Sequence, residues 1–94
     1  LFAPDGRLAA IYDKIHMFDV KLSRTEFYNE SKDNRAGTRA VVADMGFAKL
    51  GMSICYDVRF PHLHRDLAKA GAQILSIPAA FTVPTGKAHW EVLL

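Results

Sequence analysis

The sequence predicts an α/β chain with a parallel strand–helix–strand crossover, and three observations lead there. Two apolar runs of strand length, residues 50–55 and 72–78, flank a segment in which Leu63 and Leu67 stand one helical turn apart. Pro61 opens that segment and Gly71 closes it, residues suited to the first turn and to the stop of a helix. Of the 94 residues 50% are hydrophobic, 23% charged and 11% aromatic, the composition of a soluble globular chain and not of a disordered one.

In chain order, Pro4-Asp5-Gly6 is a turn tripeptide between two short apolar runs, so residues 1–12 are expected to form a β-hairpin. From Asp13 to Thr38 the composition is polar and ends at Gly37, which predicts a long surface loop. Residues 40–44 are rich in β-branched side chains, Met45-Gly46 offers a turn, and residues 50–55 form a nearly continuous apolar strand of the buried type, so a second hairpin is expected. The helix is expected over 61–70, with a third buried strand over 72–78 that pairs parallel to the second through a right-handed crossover. A further helix is expected over 88–94. The chain opens without Met and closes on a helix start with no stop signal. It therefore reads as part of a longer unit, since α/β domains with both sheet faces covered often run to roughly 200 residues.

Composition also excludes several function classes. Twelve Lys and Arg against ten Asp and Glu give a net charge of +2, and the basic residues are scattered, so nucleic acid is not an expected partner. The longest uncharged apolar stretch, Ile74 to Val83, is too short to cross a bilayer, so no membrane partner is expected. One cysteine rules out an internal disulfide framework and suits a reducing compartment, and no secretory leader is visible, so a cytoplasmic location is expected. Four histidines, including His62-x-His64, match neither zinc-finger spacing nor H-E-x-x-H, and there is no Gly-rich phosphate loop. Neither a metal nor a cofactor is expected.

Chemistry can sit at Ser53-Ile54-Cys55-Tyr56-Asp57-Val58-Arg59-Phe60-Pro61, where a cysteine closes a buried strand just ahead of a helix. Such a position lies at the carboxyl edge of a sheet, where α/β proteins place ligands, and the helix N-terminus favours negative charge beside it. A free cysteine in an apolar strand is more often a small core residue, but Asp57 and Arg59 directly after it suit a site better than a core. Lys14 and Glu30, taken alone, read as solvated surface charges. A non-catalytic α/β interaction or scaffold domain with a structural core cysteine is the competing class.

Four blocks together decide otherwise: Tyr12-Asp13-Lys14-Ile15-His16-Met17-Phe18-Asp19; Asn29-Glu30-Ser31 followed by Arg35-Ala36-Gly37; Gly51 through Pro61 around Cys55; and Pro78-Ala79-Ala80-Phe81-Thr82 leading to Thr85-Gly86-Lys87-Ala88-His89-Trp90-Glu91. They resemble the nitrilase superfamily of carbon-nitrogen hydrolases, and within it the branch containing omega-amidases and deaminated-glutathione amidases. The resemblance implies an α/β fold, a four-layer α-β-β-α sandwich of which residues 1–94 are the central segment, with N- and C-terminal parts missing. It implies a cofactor-independent enzyme in which a glutamate, a lysine and a cysteine act on the carbon of an amide or nitrile. By position in the blocks, Cys55 matches the nucleophile, Lys14 its cationic partner and Glu30 the second glutamate that orients the lysine. The first glutamate, the general base, lies upstream.

Acyl transfer from an amide needs a nucleophile, a base and donors aimed at the developing oxyanion. Cys55 supplies the sulfur, and the Lys14 ammonium with the Tyr56 N–H supplies the donors; ammonia leaves and water hydrolyses the thioester. Arg59 is a candidate partner for a substrate carboxylate, with a structural ion pair to Asp57 as an equal alternative. Phe81 and Thr82 are candidate pocket walls. Residues 61–70 and 88–94 resemble the family's dimer-forming helices, so a homodimer or larger homo-oligomer is expected, with Trp90 or its neighbours between subunits.

Overall fold

The computed structural model describes residues 1–94. A three-stranded sheet organises them, built from β3 (Val41–Asp44), β4 (Lys49–Met52) and β5 (Ile74–Ser76) in that order. β3 and β4 pair antiparallel, Val41 opposite Met52 and Asp44 opposite Lys49. Gly46 makes the turn between them at φ +84°, its N–H held by the Asp44 carboxylate at 2.7 Å. β4 and β5 pair parallel, Leu50 opposite Ile74 and Met52 opposite Ser76, with α1 (Pro61–Lys69) in the crossover. The predicted strand–helix–strand unit is therefore present.

α1 lies on β4 through Leu63 and Leu67, which are 3% and 0% exposed. Gly51 of β4 allows this approach: a Cβ there would come within 3.2 Å of the Leu67 Cβ and 2.8 Å of Leu75 Cδ2. The helix ends as Gly71 predicted. At φ +92° that residue lets its own N–H reach Ala68 O at 2.9 Å and the Ala72 N–H reach Leu67 O at 3.0 Å, the paired bonds of a Schellman stop.

Other expectations are corrected. In the opening segment Pro4-Asp5-Gly6 does turn the chain, with Ala3 N–H on Arg7 O at 2.8 Å, but only one bridge forms, Phe2 to Leu8, so residues 1–12 are not a hairpin of strand length. Phe2 and Ile11 are 70% and 62% exposed, so the apolar alternation there has nothing to pack against. The loop expected from Asp13 to Thr38 contains a short antiparallel hairpin, β1 (Asp19–Lys21) with β2 (Phe27–Asn29), followed by a 3-10 turn over Glu30–Lys32. These strands carry no buried face. Ladder bonds and the tilted packing of Phe18 on Tyr28, with centroids 5.3 Å apart, hold them, and neither leaves a periodicity to read. β4 stops at Met52 instead of running to Cys55. Finally α2 spans Val83–Leu93 and starts earlier than expected, because Thr82 caps it and Pro84 falls in the first turn, where proline is tolerated.

Only 8 of the 94 residues are buried, and large apolar side chains stand open, among them Phe47 at 81%, Val92 at 86%, and Ile74 and Leu75 of β5 at 44% and 43%. β5, read as a buried strand, is thus half exposed: it is the edge of the three-stranded sheet, and a parallel strand is buried only where both sheet faces are covered. Expressed alone, residues 1–94 are expected to aggregate or stay loosely folded and to show no amidase activity. Size-exclusion chromatography and calorimetry check this; a monodisperse monomer with a cooperative transition would refute it. No helix is long and apolar enough to cross a membrane.

Candidate active site

A cavity of about 550 Å³ opens at the carboxyl ends of the parallel strands β4 and β5. It gathers Lys14 and Phe18, then Tyr28 and Asn29 from the hairpin and Glu30 from the turn after it, then Ile54, Cys55, Tyr56 and Arg59, and finally the stretch from Pro78 to Thr82 with Thr85. Sequence positions far apart meet here because parallel strands deliver their exit loops to one edge.

Cys55 sits where β4 leaves the sheet and a 3-10 turn over Cys55–Arg59 begins. It is the one non-glycine residue at positive φ, +48°, a conformation that costs about 1–3 kcal/mol and must be over-determined by its surroundings. Two neighbours do so. The Cys55 N–H donates to Pro78 O at 2.9 Å, tying the turn to the β5 exit, and Ser53 donates through N–H and hydroxyl to Ser76 O at 3.1 and 2.8 Å. The first bond of the turn runs from Asp57 N–H to Ile54 O, so the Tyr56 N–H lies ahead of it among the orphan donors of a helix start.

Lys14, read in isolation as a surface charge, is only 11% exposed, and its ammonium forms an ion pair with the Glu30 carboxylate. Glu30 Oε2 also accepts the Phe18 N–H at 2.7 Å, so the carboxylate is held before it holds the lysine. Lys14 O accepts the Gly37 N–H at 2.7 Å, and a side chain at Gly37 would collide with the Asp13 carbonyl, which explains a glycine at that place.

The observation that decides the family is the match of the chain to carbon-nitrogen hydrolases over residues 1–94. The chain belongs to the carbon-nitrogen hydrolase family. It is 52% identical over 95 residues to the deaminated glutathione amidase of Yersinia enterocolitica, covering 100% of this chain and 33% of that protein. Against the human omega-amidase NIT2 identity is 42% over 93 residues, 99% of this chain and 34% of that protein. The crystal structure of the Caenorhabditis elegans NitFhit protein superposes with a TM-score of 0.85 at 48% identity, over 96% of this chain and 22% of that one. This carbon-nitrogen hydrolase chain thus spans about a third of the length of the amidases it resembles, and its α/β fold is that of the nitrilase superfamily.

In this carbon-nitrogen hydrolase chain the remaining predicted residues fall as follows. Arg59 makes no ion pair with Asp57. Its guanidinium lies 5.3 Å from the Phe81 ring centroid and 6.0 Å from that of Tyr56, with Nη2 3.3 Å from His89 Nδ1, so it belongs to the cavity. Phe81 and Thr82 both line it; Phe81 packs edge-on against Trp90 at 4.9 Å, and the Thr82 hydroxyl accepts the Thr85 N–H.

Asp57 is the residue whose place sequence reasoning missed. Its side chain is fully buried and accepts bonds from Tyr12, His16 and Ile54. Burial pushes its carboxyl up, but hydrogen bonds from Tyr12, the Ile54 N–H and His16 outweigh this, leaving it below the usual carboxylate range. The same burial and the Asp57 charge drive the Tyr12 hydroxyl well above the ordinary phenol range, so it remains a donor. The only available signal was an acid among apolar residues directly after the cysteine, with nothing in the sequence to link it to Tyr12 and His16.

Proposed function

We propose that residues 1–94 are the central segment of a longer domain that hydrolyses the carbon-nitrogen bond of a small, carboxylate-bearing amide through a cysteine thioester. One observation carries the reading: a paired, largely buried Lys14–Glu30 couple opens on the same cavity as the strained Cys55. A scaffold domain would have no reason to take that ion pair out of water. The names of the relatives, deaminated glutathione amidase and omega-amidase, support an amide as the bond attacked.

In this mechanism Cys55 Sγ attacks the amide carbon. Its proton passes to a general base, a glutamate outside residues 1–94, and the oxyanion is met by the Lys14 ammonium and the Tyr56 N–H. The tetrahedral species collapses with cleavage of the C–N bond, the base returns the proton to nitrogen, and ammonia leaves. Water, deprotonated by the same base, attacks the thioester, and the carboxylic acid departs with the thiol restored. No cofactor enters these steps. Phe81 and Thr82 form the wall of the substrate pocket. The protein acts in the cytoplasm as a homodimer or larger homo-oligomer, with α1, α2 and the region of Trp90 at the subunit contact.

Ammonia release by the full-length protein, screened over dicarboxylate monoamides and simple amides, tests the reading, and mass spectrometry of the quenched enzyme looks for the acyl adduct on Cys55. Release from no amide would overturn it. Glu30→Gln is expected to lower kcat roughly 10- to 100-fold, because the lysine is displaced but not deleted. Arg59→Ala is expected to raise KM for carboxylate-bearing amides about 10- to 100-fold, the loss of one charge-assisted pair, and to change neutral amides little. Steady-state kinetics on matched charged and neutral substrates separates these effects.

A further inference from the structure

We propose that Asp57 is a positioning residue for the reaction, holding the Lys14 segment and the Cys55 turn on one buried carboxylate. The inference rests on the roles proposed above for Lys14 and Cys55. Every hydrogen bond that this carboxylate accepts comes from those two segments. Oδ2 takes the Tyr12 hydroxyl at 2.7 Å and the Ile54 N–H at 3.0 Å, while Oδ1 takes the His16 N–H at 3.0 Å and His16 Nδ1 at 2.7 Å. Tyr12 and His16 stand two residues to either side of Lys14, and Ile54 immediately precedes Cys55. The lysine is bracketed and the cysteine is pinned by the same group.

Further contacts stiffen the arrangement. The Tyr12 hydroxyl accepts the Ile15 N–H at 3.3 Å, and the His16 ring stacks on Phe60 with centroids 3.6 Å apart and planes 6° from parallel. Asp57 is 0% exposed and its four acceptor directions are filled. Well-packed apolar side chains often match or exceed the stability of a buried ion pair, so stability alone does not call for a carboxylate here. What an apolar residue lacks is directed bonds, three of which reach chain segments 41 to 45 positions away while a fourth, from the Ile54 N–H, holds the Cys55 turn itself. With Asp57 fixing both backbones, the Lys14 side chain can be aimed by Glu30 and the Cys55 turn can keep its positive φ.

Tyr12→Phe is the deciding variant, because it deletes one oxygen and keeps the ring. In the full-length enzyme, with a dicarboxylate monoamide as substrate, it should lower kcat about 10- to 100-fold at an unchanged KM. The thermal midpoint should fall modestly, because a buried carboxylate loses one charge-assisted bond, while the rate of Cys55 alkylation by iodoacetamide should stay at its wild-type value, since only the lysine side has been loosened. Asp57→Asn, whose amide nitrogen in place of Oδ2 removes the acceptor shared by the Tyr12 hydroxyl and the Ile54 N–H, disturbs both segments and should lower kcat further and change the alkylation rate as well. A Tyr12→Phe enzyme with wild-type kcat overturns the proposal. So does one in which KM rises and the Cys55 alkylation rate changes together with kcat, which is the behaviour of a generally loosened core. Failure here is distinct from failure of the nucleophile assignment: in the first case Cys55→Ala is still inactive, in the second it turns over.

Discussion

Cys55→Ala in the full-length enzyme is expected to abolish turnover while leaving the fold intact. The loss follows from the chemistry, because without sulfur no thioester forms, and removing the nucleophile of a comparable acyl-transfer enzyme costs on the order of 10⁶-fold in kcat. Persistence of the fold follows from the surroundings. The thiol is a half-buried side chain at the edge of a cavity, and the turn is held by backbone bonds, Cys55 N–H to Pro78 O among them, that alanine retains. Alanine also occupies φ +48° at about the same cost as cysteine, both having a Cβ. Cys55→Ser should be nearly as inactive, since a hydroxyl ionises far less readily than a thiol. Ammonia release measured beside circular dichroism decides the matter. A folded alanine variant that kept more than roughly a few per cent of the rate would remove Cys55 from the mechanism.

Lys14→Ala carries the second large effect. An ammonium meeting the developing oxyanion is worth about 3 kcal/mol in acyl-transfer sites, so kcat should fall about 10²- to 10³-fold at saturating substrate. The variant also leaves the Glu30 carboxylate at the cavity wall without its cationic partner, held by the Phe18 N–H alone, so its loss should exceed that of Glu30→Gln. Lys69→Ala is the matched control. Lys69 is exposed in the last turn of α1, away from the cavity, and its removal should leave kcat and KM within about twofold, as surface substitutions do. Equal effects of the two lysines would return Lys14 to the class of surface charges.

Much of the site was legible because its parts are local. The turn at Pro4-Asp5-Gly6, the helix between Pro61 and Gly71 and the flanking apolar strands depend on backbone preferences and side-chain spacing over fewer than a dozen residues, which a sequence displays directly. Once a parallel strand pair is recognised, its carboxyl edge is a natural place for a reactive cysteine, and the residues after each strand become candidates for the same cavity. Cys55, Phe81 and Thr82 were reached in this way, while Lys14 and Glu30 needed the resemblance of the surrounding blocks, being single charges in a polar stretch.

What the sequence by itself determined was the β4–α1–β5 crossover, its stop at Gly71 and the candidate nucleophile at its edge, since each is specified by residues close together in the chain. The tertiary structure alone decided three other matters. It paired β1 with β2, whose strands of 3 residues bury nothing and so leave no alternation to detect. It placed Arg59 over Phe81 and beside His89, 30 positions away, instead of beside its neighbour Asp57. And it drew Asp57 inward to Tyr12 and His16. A charge finds its partner by distance in space, and where the separation along the chain is 30 to 45 residues no local pattern records which of several nearby groups that will be.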